Sequence, residues 1–344
     1  MREEAEMEAS NLRIATDFEE VRSPAAPLDL LAWLLEGDPA IRWQVLRDLA
    51  DADPAVVEAE RARVAETGWG ARLLALQEPS GMWGGGLYGP KWISTTYTLL
   101  QLRDLGLPPG NPQALRGCEL LIEHGTFRDG GINFSSQAKY SETCITGMVL
   151  SICAYFQLRD ERLQAVAGHL LRQQLPDGGW NCRSFRGDTH SSMHTTIMVL
   201  EGLEHFRRQV LESGADGSLA RQIAAAEARG HEFLLAHRLF RSHRTGEVFD
   251  PKMLRFPFPP RWRYDVLRAL DYFAWSGARF PAGRDERLED GIALLKRKRS
   301  PDGRWTVARG MSGKVHFNME PAGKPSRWNT LRGLRALRWW EELA

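Results

Sequence analysis

Runs of apolar residues recur along the chain with the spacing of a covered helix face: VLRDL, TLLQL, VLSIC, VLEGL, VLRAL and TLRGL carry leucines at Leu46, Leu99, Leu150, Leu200, Leu267 and Leu331. Residues three and four apart share one face of a helix, so each run predicts a helical segment. The leucines lie roughly 50 to 67 residues apart, which leaves room for a loop and a second, more polar helix between each pair. Stretches such as TTYTLLQL and TTIMVLEGL are apolar nearly all round and predict helices buried on every side. Six helical hairpins with one covered helix each suit closure into a ring, an all-α (α/α)6 toroid with the covered helices inside. Those inner helices are expected to begin near Ala40, Ser94, Ser141, Ser192, Trp262 and Ser326.

Punctuation supports the same unit. Three turns end in tryptophan, LQEPSGMWGGG, LRQQLPDGGWN and KRKRSPDGRWT, each after an amphipathic helical pattern. Asp and Gly after a helix end are ordinary stop chemistry, but their recurrence with Trp marks a repeat. Ahead of the leucines, three units read Arg, aromatic, polar (Arg42-Trp43-Gln44, Arg263-Tyr264-Asp265, Arg327-Trp328-Asn329), and three place Thr95, Thr146 and Thr196 where those arginines sit. A recurrent position favours a structural role for the arginines, paired with acids such as Asp38 or Glu320. Residues 1–27 read as a polar lead-in and 28–344 as a single domain. The stretch 241–262, with FPFPP, predicts a long ordered loop over one mouth of the ring. His237 and His243, in HRLFRSHRTGEVFD, read as part of a solvated loop.

Composition narrows the function. The 45 Lys and Arg nearly balance the 44 Asp and Glu in 344 residues, so no net field attracts nucleic acid or an anionic membrane surface. Four scattered cysteines fit a reducing compartment, the cytoplasm, and no apolar stretch reaches the roughly 18 residues of a membrane span. Charged flanking helices favour a monomer. No P-loop, dinucleotide fingerprint or serine nucleophile elbow occurs.

The LPDGGW turn resembles the QW repeats of squalene-hopene cyclases, and the DGG turn followed by a Thr-rich helix is similar to that of protein prenyltransferase β-subunits. The resemblance spans roughly residues 28–342. It implies the toroid fold and an enzyme acting on an isoprenoid or similarly hydrophobic substrate in an apolar central cavity. The cyclases' Asp-x-Asp-Asp acid would fall on Glu142-Thr143-Cys144-Ile145 or Ser192-Met193-His194-Thr195, and neither supplies paired aspartates. A cyclase-like reaction would therefore need another acid, such as Glu142 or Asp265.

Similarity to the β-subunit zinc pattern points to Glu142, Cys144, His190 and His194 as metal ligands, with Cys182 as an extra or alternative donor. Glu stands where that family has Asp, the histidines lie a residue or two off its spacing, and Ser136 replaces a diphosphate-binding arginine. Thiolate, imidazole and carboxylate are the donors zinc takes, and zinc would activate a substrate thiol for alkyl transfer. The alternative makes Cys144 a small buried hydrophobe and both histidines interior polar groups. By the same resemblance Lys139 would contact a prenyl diphosphate, and Lys91, Arg261, Arg263 and Arg327, also near helix heads, suit such an anion. Trp43, Trp92, Trp180, Tyr264 and Trp328 would line an apolar tunnel or wedge hairpins together, and the Tyr264 ring would stabilise a carbocation. A binding or scaffolding toroid without a reaction remains the third reading. The enzyme readings expect an apolar, aromatic cavity whose polar groups gather where the inner helices begin.

Overall fold

A computed structural model describes residues 28–214, 217–280 and 283–344; the lead-in expected over residues 1–27 lies outside them. The described residues form thirteen α-helices and one two-residue strand pair, Trp305–Thr306 with Pro325–Ser326. Six helices carry the repeated leucines: α2 (Pro39–Asp48), α5 (Thr95–Leu105), α7 (Thr143–Tyr155), α9 (Met193–Glu212), α11 (Val266–Ser276) and α13 (Arg327–Glu342). Between and around them lie α1 (Leu28–Leu35), α3 (Pro54–Ala62), α4 (Gly68–Leu74), α6 (Pro112–Gly125), α8 (Arg162–Arg172), α10 (Ser218–Ala236) and α12 (Glu289–Arg297). The covered helices start within two residues of their expected heads except α11. There the chain stays extended to Asp265, whose carboxylate accepts the Arg268 N–H and starts the helix at Val266. Among the described residues no helix is long and apolar enough to cross a membrane.

From α5 onward each covered helix packs on the next in sequence, and α13 packs back on α2. The link between α2 and α5 includes hydrogen bonds from Trp43 Nε1 to the Leu105 carbonyl (3.0 Å) and from Gln44 to the Asp104 carbonyl (3.4 Å). The turn tryptophans explain how each hairpin holds its shape. Trp83, Trp180 and Trp305 are wholly buried, and their indole N–H groups donate to the carbonyls of Leu73, Leu170 and Leu295, ten residues upstream in every case. Their backbone N–H groups donate to the hydroxyls of Thr95, Thr196 and Thr330 at the start of the following covered helix. Each tryptophan thus clamps both helices of its hairpin and satisfies its own polar atom. Trp180 is therefore a wedge and lines no tunnel.

The closest crossing is between α7 and α9. A Cβ on Gly147 would lie 2.8 Å from the Met198 carbonyl oxygen and 2.9 Å from Val199 Cα, and one on Gly202 would lie 2.5 Å from the Gly147 carbonyl oxygen. Only glycine permits backbones this close. Gly147→Ala is expected to lower stability by about 1–3 kcal/mol, the range for overpacked cores, read by urea denaturation; an unchanged midpoint would mean that the crossing relaxes freely.

Charged residues spread along the covered helices form a belt of ion pairs. Glu201 on α9 accepts a bidentate pair from Arg268 on α11 (2.7 and 2.9 Å) and a bond from Arg103 on α5 (3.1 Å), which also donates to Ser151 on α7. Asp271, one turn after Arg268, accepts from Arg332 (2.9 Å) and Arg335 (2.8 Å) on α13, and Arg335 continues to Asp48 on α2 (2.7 Å). The belt touches all six covered helices.

Candidate functional site

Where the covered helices begin, the head of α7 leaves a carboxylate free. Glu142 occupies the N-cap position in an extended conformation, yet its side chain caps nothing; its backbone is fixed instead by its N–H on the Ile132 carbonyl (2.9 Å) and by the Thr146 hydroxyl on its own carbonyl (2.9 Å). Two residues on, Cys144 is half-buried at the same rim. The head of α9 brings the second thiol. Ser192 N–H bonds the Trp180 carbonyl, and Cys182 N–H reaches the Thr195 hydroxyl (3.3 Å), so the chain after Trp180 runs back along the helix start. That path sets the Cys182 thiol near enough to Cys144 for each to shift the other's ionisation, with Glu142 close enough to act on both.

The two sulfurs share a proton unequally. A hydrogen bond from Cys144, helped by one from the Thr195 hydroxyl and opposed by burial, draws the Cys182 thiol down to about 6. The contact with Cys182 pushes Cys144 well up, and burial adds to it. Cys182 is thereby the more readily ionised of the two thiols, and it is half-buried, open to a reagent.

A tyrosine pair adjoins the thiols. The Tyr88 and Tyr97 hydroxyls lie 3.1 Å apart, and burial raises both phenols, with Cys144 and Glu142 adding to each shift. Tyr97 meets the Trp92 ring edge-on at 4.7 Å, and the Arg261 guanidinium stands 4.6 Å from the centre of the same ring.

The histidines do not join this cluster. His194 turns toward the next hairpin: its Nδ1 accepts the Tyr264 N–H (2.9 Å) and its ring meets Trp262 edge-on. Burial, with Arg263 and Arg268 nearby, lowers it to about 4, so it is neutral at physiological pH. His190 sits in the exposed loop before α9, where its carbonyl accepts from Asn181. Among the described residues no three His, Cys, Asp or Glu side chains gather as a metal-holding group. The expected zinc set of Glu142, Cys144, His190 and His194 is therefore not assembled. Of the expected donors, Cys144 and Cys182 are the ones that come together, with Glu142 nearby.

Other expected site residues separate by depth. Tyr264 is fully enclosed, its hydroxyl bonded to the Leu239 carbonyl (2.6 Å), so its ring faces no substrate. Asp265 is also sealed. Burial lifts its carboxyl to about 6 against the pull of Arg332 and Arg268, but its role is to start α11. Arg327 ties α13 to the first hairpin through the Trp33 carbonyl (2.8 Å) and Glu36 (3.1 Å), the structural role its repeat position predicts. Arg263 lies over the Trp262 ring and leaves its buried Nε without a partner. Lys139 is exposed on the loop before Glu142, and Lys91 is exposed near the Tyr88 and Trp92 rings. Trp43 and Trp328 line the larger cavity, Trp328 from the start of α13, where it stacks on Phe258 at 4.3 Å. His237 is buried against Phe233, His243 and Phe249, a correction to its reading as a solvated residue.

The cavities also correct the expectation of one apolar chamber. The larger, about 790 Å³, is walled by the charged belt. Its charge was present in the runs themselves, as Arg47-Asp48, Arg103-Asp104 and Glu201. The second, about 530 Å³, lies at the helix starts beneath residues 307–322. That segment crosses the mouth by pairing Trp92 N–H with the Lys314 carbonyl (2.8 Å) and Lys314 N–H with the Lys91 carbonyl (3.1 Å). His316 meets Thr98 on α5 (2.9 Å) and Met319 meets Gln101. The expected cover, 241–262, contributes Phe258, Pro259 and Arg261 to this cavity. Sequence reading missed residues 307–322 as a cover, because no local period marks contacts between positions more than 200 residues apart, and it missed Tyr88 and Tyr97, which no repeated position marks.

No protein-family model matches the chain, and no curated protein matches its sequence. Solved structures of MstE, a type II terpene cyclase from Scytonema, do align with it. The enzyme in an aspartate-to-asparagine variant with its substrate geranylgeranyl dihydroxybenzoate aligns at 13% identity and a TM-score of 0.33, covering 83% of this chain and 97% of that one. The apo enzyme aligns at 12% and 0.31, covering 83% and 98%. An aspartate-to-alanine variant with the product merosterolic acid A aligns at 12% and 0.34, covering 83% and 97%. Similarity at this level assigns neither a family nor a reaction.

Proposed function

We propose that the six covered helices close a single-domain α/α toroid and that the chain is an enzyme acting on a hydrophobic substrate through the thiol pair at the helix starts. The observation that carries this reading is the half-buried, free Cys182 thiol placed beside Cys144 and Glu142, a setting that favours its thiolate. A positioned thiolate is a nucleophile at neutral pH and needs no metal. Acyl transfer is the reaction class that lets it turn over. Cys182 sulfur attacks the carbonyl carbon of an ester or thioester, an S–C bond forms, and the C–O or C–S bond breaks as the leaving group takes the electron pair. Water or another acceptor then displaces the sulfur as thiolate. Alkyl transfer from a prenyl diphosphate would instead leave a stable thioether on Cys182 and stop after one event. The Tyr88, Tyr97 and Trp92 rings favour a hydrophobic acyl chain, isoprenoid or straight.

Incubation with p-nitrophenyl esters of increasing chain length tests this proposal. A p-nitrophenol burst with a thioester on Cys182, larger for decanoate than for acetate and lost in Cys182→Ala, is the expected result. Ester turnover that persists in Cys182→Ala, or no burst with any chain length, contradicts it.

A further inference from the structure

We infer that the cavity beneath residues 307–322 binds an apolar molecule carrying a single carboxylate, with the Arg261 guanidinium on the head group. This site shares Trp92 with the proposed acyl site, but it rests on Arg261 and needs no reaction at Cys182.

Arg261 is 8% exposed, and among the described residues no carboxylate pairs with it. Its one hydrogen bond runs to the Trp92 carbonyl at 3.5 Å, the far limit of such a contact, although a guanidinium carries five N–H donors. An enclosed cation without a counterion is strongly destabilising, so buried arginines are ordinarily paired, as Arg103, Arg268, Arg332 and Arg335 are here. The backbone adds a second cost at the same residue. Arg261 has φ +57°, a conformation rare for a residue with a side chain, and its carbonyl is held there by Arg268 Nη1 (2.9 Å). A strained backbone and an unneutralised charge coincide where the side chain reaches the 530 Å³ cavity.

The other groups facing the cavity define the ligand. Trp92, Phe258, Met311, Phe317 and Met319 give it apolar walls. Glu320 is committed elsewhere, accepting from the Ser326 hydroxyl and the Trp328 N–H, and burial raises its carboxyl. Burial lowers His316, which adds no positive charge at neutral pH. Arg309 lies at the exposed edge. One enclosed positive charge among apolar walls matches one negative charge on an apolar body, and a planar carboxylate fits the guanidinium fork. A diphosphate would bring more negative charge than the enclosed groups neutralise.

Calorimetric titration of the full chain with decanoate, decanol and inorganic phosphate, together with melting curves of the wild type and Arg261→Met, tests the site. Decanoate is expected to bind and raise the melting temperature, with decanol at least tenfold weaker and phosphate alone not binding. Arg261→Met is expected to weaken decanoate at least tenfold, while the ligand-free variant melts at or above the wild-type temperature because an unneutralised buried charge has gone. Equal affinity for decanoate and decanol, no binding of decanoate, tight binding of phosphate alone, or a variant that melts well below the wild type would overturn the proposal. The last of these would show that Arg261 is neutralised within the chain.

Discussion

Glu201→Gln is expected to lower the unfolding free energy by about 3–5 kcal/mol, because it leaves Arg268 buried without the charge that compensates it and leaves Arg103 with Asp104 alone. Glu201 is the hinge of the belt: its two oxygens hold arginines from α5 and α11, helices that are not sequence neighbours. Burial alone would raise its carboxyl, but the two guanidiniums hold it down to about 2. The sign of the pH dependence follows. An unfolded glutamate titrates near about 4.3, so the stability contributed by Glu201 is complete above that value and is lost as pH falls toward 2. That window accounts for about 3 kcal/mol, and the variant is expected to show a shallower loss of stability across it. Urea denaturation of both proteins at several pH values between 2 and 7 measures it. Identical slopes, or a variant within about 0.5 kcal/mol of wild type at pH 7, would mean that the belt does not hold the helices together.

The sequence carried most of this architecture because its signal is local and repeated. Leucines on one helix face mark all six covered helices, and the Trp turns that clamp to a carbonyl ten residues back mark three of them, without any knowledge of the rest. The belt was legible as charges following those leucines, although its pairing was not, since Arg335 meets Asp48 from the other end of the chain. The site was half legible. Glu142 and Cys144 stood out by their place at a helix head, and Cys182 by its nearness to Trp180. The histidines misled because spacing along the chain does not reveal which way a ring turns: His194 is taken by the Tyr264 N–H of the next hairpin. Arg261 was visible as a charge near a helix head, but only its enclosure without a partner makes it informative.

The second large effect concerns Cys182 itself. With its thiol drawn down toward about 6, Cys182 is expected to be mostly thiolate at pH 7, where an ordinary thiol is ionised by only a few per cent. Iodoacetamide is expected to label Cys182 ahead of the other three cysteines, and Cys182→Ser is expected to abolish the fast phase. Cys118 and Cys153 are buried, and Cys144 holds its proton, so none replaces it.

The pH dependence of that labelling, followed at Cys182 by peptide mass spectrometry, tests the central claim most directly. In the wild type the rate is expected to rise with a midpoint near 6, and in Cys144→Ala the midpoint is expected to move toward the ordinary thiol value of about 8.5, because the hydrogen bond that stabilises the thiolate is gone. A wild-type midpoint already near 8.5, or one that Cys144→Ala leaves unmoved near 6, would contradict a thiolate held by its neighbouring thiol.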